Sequence, residues 1–65
     1  MWTVIYMAQD METAEKVKDV LTKEGFLVKL RPLNKKIDKK GSYCEVLVPK
    51  AEAQDAQSII IEYGL

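Results

Sequence analysis

The chain has 65 residues, 48% hydrophobic and 31% charged, and its ten basic and ten acidic side chains cancel to a formal charge of zero. That length allows one domain, residues 1–65, which buries only about 60% of the surface its unfolded chain exposes. The charge balance argues against general attraction to nucleic acid or anionic membrane, and the single cysteine, Cys44, without any histidine, rules out an internal disulfide and leaves little to hold a metal.

Trp2 to Ala8 is rich in β-branched and aromatic residues and reads as a first strand. Asp10 is placed to cap the next element, its carboxylate accepting N–H groups of the first turn. The spacing predicts a helix from Met11 to Glu24 with Met11, Ala14, Val17, Val20 and Leu21 on one stripe. Gly25 ends it, because glycine takes the left-handed conformation without strain. Phe26 to Arg31 alternates as a half-buried strand, Phe26, Val28 and Leu30 on one face, Leu27, Lys29 and Arg31 on the other. Pro32 is expected to close it, with a polar loop to Ser42 and a third strand from Tyr43 to Val48. Pro49 removes a ladder donor and marks the exit. A second helix, Lys50 to Tyr63, is expected to bury Ala53, Ala56, Ile59, Ile60 and Tyr63, and to fray at an N-terminus without a good capping residue.

An offset of 39 residues superimposes the end of the chain on its start, pairing Ala14 with Ala53, Val17 with Ala56, Val20 with Ile59, Leu21 with Ile60, Gly25 with Gly64 and Phe26 with Leu65. Each half reads as strand, amphipathic helix and glycine stop. The order β-α-β-β-α, with right-handed crossovers and a hairpin, gives an α+β, ferredoxin-like βαββα domain. Its antiparallel sheet has the order 1-3-2, both helices lie on one face, and the fourth strand, due beside the first, is absent. The hairpin register expected from charge and apolar matching pairs Arg31 with Tyr43, Lys29 with Glu45, Leu30 with Cys44 and Val28 with Val46.

Two surfaces are expected to lie open. The outer edge of the first strand, Thr3 to Met7, carries no proline and no charge, the usual devices against edge pairing. Two copies can pair there about a twofold axis, and oligomerisation is a common support for a small core. The repeat matches Ile5 and Met7 to Cys44 and Val46, which turns these four toward the helices and sends Trp2, Val4 and Tyr6 outward. There they join Leu27, Tyr43 and Leu47, with Lys29, Arg31 and Glu45 among them. The opposite facing of the strand would place Trp2 and Tyr6 in the core.

Chemistry is sparse. Lys35, Lys36, Lys39 and Lys40 crowd the loop between the second and third strands, a position for phosphate contacts or simply a solvated tip. No glycine-rich cradle accompanies them. RNA binding through Tyr6, Lys29, Arg31, Tyr43 and this loop is the alternative function, although the aromatic signature of RNA-recognition strands is missing and Glu45 sits among them. The commonest general base is absent, the helix carboxylates stand at solvated spacings, and Cys44 points inward as a small hydrophobe, so neither an enzyme nor a cofactor is expected. The longest aliphatic run, Ile59-Ile60-Ile61, is too short to cross a bilayer, and a start that enters a strand at once points to the cytoplasm.

Val4-Ile5-Tyr6-Met7-Ala8, Ala14-Glu15, Val20-Leu21, Glu24-Gly25-Phe26 and Val46-Leu47-Val48-Pro49, with a second alanine-rich helix, resemble a family of small bacterial proteins of unknown function assigned to signal transduction, with a PII-like, ferredoxin-like fold. The resemblance covers nearly the whole chain through core positions. It implies a recognition role for the lysine-rich loop, with Pro32 to Ser42 as the counterpart of the loop by which PII proteins engage partners. The chain departs from PII proteins in lacking the second-half strand and the nucleotide-binding glycine and basic motifs. The reading is therefore a non-enzymatic binding or regulatory module, a homodimer or a protein's partner through the first strand or the open sheet face.

Overall fold

The computed structural model describes residues 1–38 and 41–65, with side chains described outside 34–42. The elements are β1 (Trp2–Ala8), α1 (Met11–Lys23), β2 (Lys29–Asp38), β3 (Gly41–Pro49), a 3₁₀ turn (Lys50–Glu52) and α2 (Ala53–Tyr63). The three strands form an antiparallel sheet in the order β1-β3-β2, an α+β arrangement. One apolar cluster joins Ile5, Ala8, Cys44, Val46 and Val48 of the sheet to Ala14, Val17 and Leu21 of α1 and Ala56 and Ile60 of α2. Both helices therefore cover the same sheet face.

Local chemistry explains where α1 begins. Asp10 is extended at φ −156° and ψ 172°, and its Oδ1 accepts the Thr13 N–H at 2.7 Å. That backbone hydrogen bond holds the Asp10 carboxyl below the ordinary aspartate value, with the Thr13 side chain acting in the same direction. Its end is repeated in the second helix. The Phe26 N–H donates to the Leu21 carbonyl and the Gly25 N–H to Thr22, and 39 residues later Leu65 donates to Ile60 and Gly64 to Ile61. Gly25 and Gly64 make these turns at φ 95° and 69°, a region that side chains with a Cβ rarely enter. Phe26 and Leu65 then pack against the core. The two helix stops thus match bond for bond at the 39-residue offset.

The helix stripes need two corrections. Met11 is exposed, one turn before the stripe reaches the sheet, and Tyr63 is exposed instead of buried. The uncapped start of α2 has no side-chain cap, and its first residues tighten into the 3₁₀ turn after Pro49.

The hairpin differs more. Lys29 pairs with Leu47, Leu30 with Val46, Arg31 with Glu45 and Pro32 with Cys44, two residues away from the expected register. A shift of two preserves every face, so apolar matching alone does not distinguish the two registers. Arg31 decides it: its Nε and Nη2 grip Glu45 Oε1 at 2.6 and 2.5 Å, a fork that the lysine ammonium cannot supply. β2 also starts later than expected, at Lys29, and does not stop at Pro32. It continues to Asp38, and much of the expected loop pairs with β3, irregularly between Pro32 and Lys36 and again between Lys36 and Asp38. β2 is an edge strand, where proline's missing donor is tolerated.

β1 holds the third correction. Its pairing runs Trp2 with Pro49, Thr3 with Val48 and Val4 with Leu47, then resumes with Tyr6 opposite Val46 and Ala8 opposite Cys44. Ile5 is the extra residue of a bulge, and it is buried. An added residue reverses the facing of all that follows. Tyr6 therefore packs against the core, while Met7 turns outward, opposite to the expectation for both.

Candidate interaction surface

Trp2, Val4, Met7, Tyr43, Glu45, Leu47, Lys29 and Arg31 share the sheet face away from the helices, by their alternation with the buried positions of the same strands. Leu27 stands just before β2 and is 65% exposed. Leu47 is only 3% exposed, although no helix covers it. The cause lies in its neighbours on both sides. Lys29 Nζ stands 5.6 Å from the centre of the Trp2 ring. Trp2 is on β1 and Lys29 on β2, so the two lean together across β3 and roof over Leu47, a cation held above an aromatic face. Arg31 and Glu45 form the polar side of the same face. Trp2, Val4 and Met7 remain 42%, 40% and 46% exposed and lie in one row along β1.

That row coincides with the edge of the sheet. Among the described residues β1 pairs only with β3. The Lys50 N–H donates to the Met1 carbonyl at 2.7 Å, continuing the β1–β3 ladder. Backbone groups of alternate residues point to opposite sides of a strand. Thr3, Tyr6 and Ala8 therefore face β3, and the N–H and C=O groups of Trp2, Val4 and Met7 face outward. The edge has no charge and no proline, but it does have the bulge at Ile5, which interrupts its regular spacing.

Of the expected contact residues, Trp2, Val4, Lys29, Arg31, Tyr43 and Leu47 come together on the open face, with Leu27 at its margin, and Tyr6 does not. Lys35 and Lys36 lie along β2, with the Lys36 backbone opposite Ser42, and Lys39 and Lys40 fall outside the described residues. Met7 was missed; a bulge has no signature in the apolar pattern of this strand. Cys44 is buried, its Sγ 3.7 Å from the Glu45 carbonyl, and burial pushes its thiol up, away from the reactive thiolate. Among the described residues no three His, Cys, Asp or Glu side chains come together as around a metal ion, and no helix is long and apolar enough to cross a membrane.

Among the described residues the fold and surface define an α+β domain whose edge strand β1 is unpaired on its outer side, with a partly apolar open face. Comparison with family models, curated proteins and solved structures finds no match to the chain.

Proposed function

We propose that this chain is a small cytoplasmic, non-enzymatic binding or regulatory module that works through protein–protein contacts, with a second copy or another protein, at the edge of β1 and the adjoining open face. The reading includes a ferredoxin-like fold and kinship with the small bacterial signal-transduction family that its core positions resemble. One observation carries it: outward backbone donors and acceptors on β1 run beside the exposed side chains of Trp2, Val4 and Met7. Charge and proline, two of the usual protections of such an edge, are absent, and the bulge at Ile5 interrupts only its middle.

Nucleic acid has less support as the partner. Tyr6 packs inward, Arg31 is held by Glu45, and Lys29 is occupied over Trp2. Titration with single-stranded RNA at low salt, where phosphate contacts are strongest, is expected to give no binding.

The test of the main reading compares the natural chain with Val4→Lys at the edge and Trp2→Glu on the face. Sedimentation across a concentration series and capture from the host are expected to show association weakened about tenfold or more by at least one substitution. Association unchanged in both variants sinks the reading.

A further inference from the structure

α1 touches all three strands and β3 most extensively, whereas α2 reaches β1 and part of β3. Packed helices stand about 8–10 Å apart, but paired strands only about 4.8 Å. With α1 over the central strand, α2 is carried past the line of β1 and overhangs its outer side. The side chains of α2 agree. Ala56 and Ile60 point to the core, and Tyr63 turns toward α1, its hydroxyl donating to Glu24 Oε2 at 2.7 Å. Successive helical residues are about 100° apart, so Gln57 and Ile61 occupy the flank away from α1. Ile61 is 79% exposed there.

From this arrangement we infer that the strip between the outer edge of β1 and the overhanging flank of α2 receives an extended strand from a partner protein. The strand runs antiparallel to β1 and alternates apolar side chains toward the helix. The inference rests on the proposed contact function and names the occupant of its edge.

The other half of the molecule supplies the occupant's chemistry. Glu24 and Tyr63 are 39 residues apart and touch, as repeat-related residues beside a pseudo-twofold axis do. That operation carries α1 onto α2 and β3 onto β1. It carries β2, which lies beside β3, onto the vacant strip. In β2 and the residues just before it, Val28 and Leu30 pack against the core while Lys29 and Arg31 lie on the open face. A partner strand of the same alternation meets Ile5 and Ile61 on one side and continues the row of Trp2, Val4 and Met7 on the other. The backbone groups of these three form its ladder, the mode of strand addition. A second copy pairing β1 with β1 fits less well. Its own α2 would arrive over the same strip, within about one strand spacing of the first, where two helices need nearly twice that.

The experiment uses the full chain and a synthetic peptide with the sequence of Phe26 to Arg31, followed by amide NMR and hydrogen exchange. The peptide is expected to shift the signals of Trp2, Val4, Met7, Gln57 and Ile61 saturably and to slow exchange at the three β1 amides. Val4→Pro removes a donor that the β1–β3 ladder does not use, and Ile61→Glu charges the flank at an exposed helical site. Each is expected to weaken the peptide about tenfold or more. No saturable shift at millimolar peptide, or binding indifferent to both substitutions, overturns the inference. So do shifts confined to Lys29, Tyr43 and Leu47, or slowed exchange at β1 that grows with chain concentration without peptide. These last two outcomes leave the broader contact function standing, which falls only with the association test above.

Discussion

Tyr63, expected in the core, is exposed. Its ring leaves the core stripe because its hydroxyl finds the Glu24 carboxylate, tying the ends of the two helices together. That acceptor raises the Tyr63 pKa, first by the hydrogen bond and then by the carboxylate's charge. A raised folded value means the contact stabilises the fold fully below the unfolded tyrosine value and loses this as pH rises through the folded one. Glu24→Gln is therefore expected to bring the Tyr63 titration, followed by phenolate absorbance, back down toward the ordinary value; a titration unmoved by the change rules the contact out. Arg31 illustrates the same limit of sequence reading. Apolar alternation placed it on the open face correctly, yet its partner was decided by guanidinium geometry, which a one-dimensional pattern does not contain.

At the scale of elements, the helix ends were the most legible features, because a glycine stop is local chemistry. Gly25 and Gly64 make matching turns, and a Cβ built at either position meets nothing within 4 Å. The cost of alanine there is thus one of backbone conformation and not of collision. Gly25→Ala and Gly64→Ala are each expected to lose about 1–2 kcal/mol in denaturant unfolding, and by similar amounts. A large difference between them would contradict their equivalence. The strands were less legible. β1 was located correctly from Trp2 to Ala8, but its facing after Ile5 was not, since a single bulged residue inverts everything beyond it. Pro32 was taken as a stop, although on an edge strand its ring removes a hydrogen bond that has no required partner.

For the whole molecule, size sets how much each core contact matters. A chain of this length has roughly 3–10 kcal/mol of total stability. Leu21 is fully buried between α1 and the sheet, and Leu21→Ala is expected to remove about 2–5 kcal/mol, read as a large fall in the denaturant midpoint. A marginal fold of this kind gains from any partner that binds only its folded form. The sequence by itself determined the element order, the strand order, the inward residues of both helices except Met11 and Tyr63, and the shared stops, because periodicity, glycine conformation and crossover handedness act over short stretches of chain. Only the tertiary structure decided the hairpin register, the turning of Tyr6 and Met7, and the meeting of Trp2 and Lys29 across β3. Those depend on which groups from distant positions meet, which no local pattern encodes.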